Sequence, residues 1–236
     1  MSESPLLSVE ELRVGSAAAG VSFAVPAGGS LALLGSHASE LALAPLRLTR
    51  PASGRIVFAG SDLLALGDRQ LRRILGDQIG AVFADPAGSL HPSYKLGWQL
   101  AEAVRAHHRV SGSAARDRAV DALEAVGVPE PRRAIDAHPR ALAIDTRLRA
   151  LIAIALINRP RLLLVDDPFA ALDVAARASI IELLLGLRRR LGFALLLATA
   201  DATLARELGD EVYSSSALAS SPSSSSFSGS ASSSST

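Results

Sequence analysis

An apolar run, Leu162-Leu163-Leu164-Val165, ends in two adjacent carboxylates, Asp166 and Asp167, followed by Pro168, Phe169, Ala170, Ala171, Leu172 and Asp173. Such a run reads as a strand buried on both faces, as in a parallel sheet. The carboxyl end of such a strand is where open α/β sheets place ligands, so two negative charges stand where a bound group would be met. Three other short segments carry polar groups next to apolar runs. They are Gly35-Ser36-His37-Ala38-Ser39-Glu40, Leu142-Ala143-Ile144-Asp145-Thr146 and Thr199-Ala200-Asp201. The chain has no cysteine, which excludes disulfides, thiol catalysis and cysteine metal sites. Its only lysine is Lys95, far from all four segments.

The elements that must position these groups follow from periodicity. Residues 6–14 and 20–25 alternate and predict paired strands. Residues 30–35 predict a buried strand ending at Gly35, and 53–60 another strand between turn residues. A helix is predicted from Leu66 to Leu75 and a strand over 78–83. From Asp85 to about Asn158 the pattern is mostly helical, with breaks at Gly112, Gly127–Pro131 and Pro139. Residues 161–165 form the strand described above, Val174–Leu191 an amphipathic helix, and 193–199 a final buried strand. Alternating strands and helices define an α/β class.

The length of 236 residues suffices for one sizeable domain with a subdomain. Net charge is +1, so no strong field points to nucleic acid, and no nucleic-acid partner is expected. The first residues lack a basic region followed by an apolar core, so no secretory leader is expected, and no uncharged apolar run reaches about 18 residues. After Tyr213 the sequence turns to serine, which cannot bury apolar surface. Residues 214–236 are expected to be a disordered tail, either a phosphorylated tether or a plain spacer.

The segment 161–173 resembles the LLLxDEPxxALD strand and D-loop of ABC-transporter ATPases. Residues 82–100, VFADPAGSLHPSYKLGWQL, are similar to VFQDPxxSLNPxxTVGxQL of the oligopeptide, dipeptide and nickel importer branch, and 125–142 to its LVGIPDPxxRxxxYPHQL. The resemblance runs from about Leu6 to Tyr213 and implies an α/β ATP-binding cassette domain over 1–213: a core sheet, an antiparallel β subdomain and a helical subdomain over about 85–158.

Carried over residue by residue, the resemblance implies a nucleotide site at Gly35, Ser36, Ser39, Leu41, Ala42, Ala84 and Asp166. The family's GxxxxGK[ST] loop neutralises phosphates with lysine and ligates Mg²⁺ with the hydroxyl. Counted from Gly35, the lysine and hydroxyl positions are Leu41 and Ala42. Counted back from Ser53-Gly54, the loop is about three residues short and the lysine position is Ala38. Both alignments stay open, and neither supplies a lysine. Glu40 adds a like charge where polyphosphate would sit, at a cost on the order of several kcal/mol. His37 is either a weak substitute cation or an exposed loop histidine. The adenine-stacking aromatic is replaced by Val14, and the glutamine that follows the 78–83 strand by Ala84.

The signature LSGGQ corresponds to Leu142, Ala143, Ile144, Asp145 and Thr146, with both glycines lost. Asp166 matches the Mg²⁺-associated aspartate, and would hold that metal only if nucleotide binds. Asp167 takes the position of the general-base glutamate, one methylene shorter, where a misplacement near 1 Å costs on the order of a hundredfold in rate. The pair can also be read as inherited carboxylates capping a helix. Ala200 replaces the switch histidine. No catalytic residue is intact. The resemblance further implies a dimer contact at Leu172 and Asp173, and a docking groove for a membrane subunit at Asp85, Pro86, Ser89, Leu90, Pro92 and Tyr94, with Gly97 and Gln99.

These substitutions lead to the expectation of a degenerate, non-hydrolysing subunit of a peptide-type importer at the cytoplasmic face of the membrane. It would bind no cofactor of its own and pair with a second ATPase subunit that holds Mg-ATP. It would dock on a transmembrane permease and meet an extracytoplasmic binding protein only indirectly. The alternatives are a purely structural or regulatory scaffold and, third, an active ATPase.

Overall fold

A computed structural model describes residues 4–14, 20–48 and 51–214. Strands β1 (Leu7–Arg13) and β2 (Val21–Val25) pair antiparallel, as their alternation predicts. β3 (Ser30–Leu34) is followed by Gly35, Ser36 and His37 and then by helix α1 (Ala38–Leu43). β4 (Ser53–Phe58), the short β5 (Ser61–Asp62), α2 (Asp68–Ile74) and β6 (Ile79–Val82) come next. The helical segment comprises α3 (Pro86–Ser89), α4 (Leu96–Arg105), α5 (Gly112–Ala125), α6 (Pro131–Ala134) and α7 (Ile144–Leu156). β7 (Leu162–Asp166), α8 (Val174–Leu191), β8 (Ala194–Thr199), α9 (Ala202–Leu208) and β9 (Glu211–Ser214) complete the described chain.

The strands form two sheets. One is antiparallel, in the order β2-β1-β4-β5. The other is parallel throughout, in the order β6-β7-β8-β3-β9. Both faces of the parallel sheet are covered, which explains why β7 and β8 read as unbroken apolar runs. Along β7, Leu162 and Leu164 join the cluster shared with the antiparallel sheet and α1, while Leu163 and Val165 join the cluster under α7 and α8. Each fully buried leucine contributes about 1.5–3 kcal/mol relative to exposure, so one five-residue strand anchors two layers.

Two glycines are required by close approach. At Gly54, φ is +109° and an added Cβ would lie 2.5 Å from the Cα of Leu12, beside the bulge that interrupts β1 between Val9 and Leu12. At Gly80 an added Cβ would lie 2.3 Å from the carbonyl oxygen of Ala155, because α7 packs directly on β6.

Several expectations change. The helix predicted from Leu66 begins at Asp68, because Gly67 is its cap and its N–H donates to Oε1 of Gln70 at 3.2 Å. Gly112 is not a break but the first residue of α5, capped by the Ser111 hydroxyl. The helices α1 and α9 were not predicted, nor were β5 and β9. The expected disordered tail from 214 lies outside the described residues from 215 on, while Ser214 itself ends β9 against β3.

Candidate functional site at the carboxyl ends of the parallel strands

The carboxyl ends of β3, β7 and β8 bring together three of the four polar segments. Ser39, in the first turn of α1, donates its hydroxyl to Oδ1 of the buried Asp166 at 2.5 Å. In P-loop sites the loop hydroxyl and the aspartate at the end of this strand hold the same Mg²⁺, and of the two alignments only the one with Ser39 as hydroxyl and Ala38 as lysine position puts a hydroxyl on Asp166. Leu41 and Ala42, the positions of the other alignment, lie within α1 and are buried in the core.

The connection between β3 and α1 is closed on itself. The Gly35 N–H donates to the carbonyl of Thr199 at 3.2 Å, and the Ala38 N–H turns back to the carbonyl of Gly35 at 3.2 Å. Ser36 is exposed, and half-buried His37 has Nδ1 3.7 Å from Oε2 of Glu40. Val14, at the stacking position, is buried among core side chains; residues 15–19 beside it are outside the described chain.

Asp167 adopts a positive φ of 22°, with its N–H donating to the carbonyl of Ala198 at 3.1 Å. Its Oδ2 accepts from the Thr199 hydroxyl at 2.5 Å. The Thr199 oxygen in turn accepts from the Asp201 N–H at 3.0 Å. Asp201 caps α9 through the N–H groups of Thr203 and Leu204 and binds Arg177 of α8 at 2.5 Å. The guanidinium of Arg177, followed by the two cap N–H groups, holds the Asp201 carboxyl below its ordinary value, and Asp201 raises Arg177 in return. This chain of contacts from β7 to α8 was not foreseen, because its members are far apart in sequence. Ala200 sits exposed in its midst with only a methyl group to offer.

The segment 142–146 lies at the amino end of α7. Ala143 takes the cap position and makes no side-chain cap bond. Arg147 reaches back instead, donating from Nε to the carbonyl of Leu142 at 2.9 Å. Ile144, Asp145 and Thr146 form the first turn, with the Asp145 carboxylate at the positive end of the helix. Leu172 is half-buried against the core and Asp173 caps α8, accepting from the Ala176 N–H at 2.8 Å.

The predicted docking groove divides. Pro86 and Leu90 are buried, Leu90 within the core cluster under α7, and leave little surface for a partner. Asp85 caps α3 through the N–H of Ala87. Gln99 holds the preceding loop from within: its Oε1 accepts from the His91 N–H, and its Nε2 donates to the carbonyls of His91 and Tyr94. An added Cβ at Gly97 would lie 2.8 Å from Cβ of Ile135, so that residue too serves packing. What remains exposed is Asp85, Ser89, Pro92 and Tyr94, beside Ala84. To these the structure adds Trp98, whose ring stacks on Tyr94 at 4.2 Å, and Phe83; the three rings are 50%, 44% and 37% exposed in the order Trp98, Tyr94, Phe83. Trp98 could have been found from its spacing, four residues after Tyr94.

A parallel sheet with a strand-loop-helix site at its carboxyl ends, an antiparallel sheet and inserted helices defines the ATP-binding-cassette class. Comparison with known proteins agrees. The ABC transporter family matches residues 18–170, and the chain belongs to it. It is 37% identical over 224 residues to the peptidoglycan transport ATP-binding protein YejF of Agrobacterium fabrum, covering 88% of this chain and 41% of that one. It is 34% identical over 199 residues to the dipeptide transport ATP-binding protein DppD of Escherichia coli, covering 81% and 61%. The chain thus spans about half the length of these relatives. Among solved structures, cbiO1 of Clostridium perfringens, part of the ABC transporter complex cbiONQ, superposes with a TM-score of 0.76 at 25% identity, covering 90% of this chain and 85% of that one. The dimeric cassette MJ0796 bound to ADP and Pi gives 0.75 at 24% identity, covering 88% and 93%. No helix among the described residues is long and apolar enough to cross a membrane.

Proposed function

We propose that this chain is a non-hydrolysing cassette subunit of a peptide-type ABC importer. It pairs with a second, active ATPase subunit that holds Mg-ATP, and docks on a transmembrane permease subunit at the cytoplasmic face of the membrane. The observation that carries the reading is the closed connection after β3. Alanine takes the lysine position, its N–H is bonded to Gly35, and the Ser39 hydroxyl is bonded to Asp166. These residues do not fit Mg-ATP: the connection over 35–43 offers no lysine or arginine to the phosphates, Glu40 adds a like charge, and the Ser39 hydroxyl is bonded to Asp166.

The peptide-import assignment is supported by the peptidoglycan and dipeptide transport relatives and by residues 82–100 and 125–142. A scaffold role without any nucleotide contact is favoured by Asp145, whose carboxylate occupies the helix end that would otherwise receive a partner's phosphate. Phosphate release measured on the purified chain is expected to stay at background, and release by the assembled importer is expected to fall when this subunit is omitted. Steady release by the chain alone that Asp166→Asn abolishes would overturn the reading. Unchanged release by the assembly without this subunit would leave only the scaffold.

A further inference from the structure

We infer that a groove at the amino ends of β6 and β7 binds a soluble, multiply charged phosphate compound. The site is separate from the cassette's own and goes beyond the function proposed above. A cavity of about 620 Å³ opens between α2 and the end of α4. Arg69, Arg72 and Arg73 line it from α2, and His107 and His108 from the turn after α4. Spacings of three and four residues put the three guanidiniums on one face of the helix. None of them has a carboxylate partner among the described residues. The single acid in the lining, Asp77, faces His108 at 3.7 Å. A chain of net charge +1 thus concentrates three unpaired cations on one concave surface, where they reinforce one another toward an anion.

The walls are fixed in advance. Nδ2 of Asn158 donates to the carbonyl of Gly76 at 2.9 Å and to that of Ala103 at 3.0 Å, tying the turn after α2 to α4. Gly76, at φ +84°, closes that turn with its N–H on the carbonyl of Ile79, and a side chain there would strike the His107 ring. The bonds hold the backbone of the groove, not the guanidiniums, whose planar forks match phosphate oxygens.

His108 also lines an adjoining cavity of about 900 Å³. There Arg118, Arg159 and Arg190 surround an apolar floor that includes Leu156 and Leu187, with Asp121 as the one acid. The two cavities together suit a ligand with a phosphate group at α2 and a less polar body beyond His108. Asp77 precedes β6 and Arg159 precedes β7, so the groove lies at the opposite end of the strands from Ser39 and Asp166, about 16 Å along a five-residue strand. Within α4 about 12 Å, the eight residues from Trp98 to Ala106, separates the exposed ring from the groove. If the permease subunit of the proposed function covers that ring, the groove stays open to a dissolved ligand.

The test is calorimetric titration of the full chain with inorganic triphosphate at low salt, with a parallel sedimentation assay on vesicles rich in anionic lipid. Saturable binding is expected, and each of Arg69→Ala, Arg72→Ala and Arg73→Ala should weaken it about tenfold. Ser39→Ala and Asp166→Asn should leave it unchanged. Absent binding, or wild-type binding by all three arginine variants, overturns the inference. Binding lost in Ser39→Ala or Asp166→Asn but kept in the arginine variants would place the anion at the cassette loop, and would count against both this inference and the closed loop of the proposed function. Sedimentation with vesicles without triphosphate binding would make the groove a lipid site and likewise overturn it.

Discussion

At the scale of the residue, the site is a set of acids whose partners are already supplied. Asp166 has Ser39, Asp167 has Thr199, and Asp201 has Arg177 and two helix N–H groups. Sequence reasoning found the acids because they end apolar strands, but not their partners. Ser39 and Asp166 lie 127 positions apart, and only the fold brings α1 onto β7. Of the two counts that spacing alone left open, that contact favours the one that ends on Ala38 and Ser39. The pairing has a pH signature. The Asp201 carboxyl is held below its ordinary value of 3.8 by Arg177 first, so the folded chain gives up this proton more readily than the unfolded one. The resulting stabilisation is complete above that ordinary value and is lost as pH falls through the folded value. Asp210, held down chiefly by Arg188, has the same sign. Urea midpoints measured from pH 6 to pH 3 should therefore fall with acid, and fall less steeply in Asp201→Asn. A slope unaltered by the substitution would mean that the ion pair with Arg177 does not form in solution.

At the scale of the element, strands and long helices were legible and short connectors were not. β7 and β8 announced themselves because both faces of a parallel strand are apolar, and α8 because its apolar spacing spans eighteen residues. α1 is six residues long, lacks a side-chain cap, and follows a connection shorter than the pattern it was compared with. β9 escaped notice because an edge strand with exposed Glu211 and Val212 has little apolar signal. Close packing of elements was equally hidden, since a glycine does not say what lies over it. The same substitution should have opposite effects at two sites. Gly80→Ala drives a methyl group into the Ala155 carbonyl and must push α7 off β6, at about 1–3 kcal/mol. Gly186→Ala, within α8 where no atom lies within 4 Å of the new methyl, should stabilise by about 0.5–1 kcal/mol through helix propensity. Chemical unfolding of both variants checks the pair, and a loss at Gly186 would show that α8 is packed more tightly than its surroundings indicate.

At the scale of the whole molecule, what is proposed to persist is a docking body rather than an engine. The helical segment was legible as family resemblance, yet four of its eight expected contact residues are buried or bonded inward. Pro86, Leu90, Gly97 and Gln99 hold the loop, and what they present outward is Tyr94 and Trp98. Two stacked rings, about half exposed, leave apolar area uncovered at small entropic cost. Such rings dominate binding when a partner desolvates them. Trp98 is the only tryptophan of the chain, so its emission reports this surface alone. On assembly with the permease subunits its fluorescence should shift to the blue. Tyr94→Ala should weaken assembly by about tenfold or more, the loss typical of an anchoring aromatic. Because the ring is exposed, the same variant should unfold at the wild-type urea midpoint, within about 0.5 kcal/mol. A Tyr94→Ala subunit that assembles normally, with Trp98 emission unmoved, would mean that the permease docks elsewhere and that the platform serves another partner.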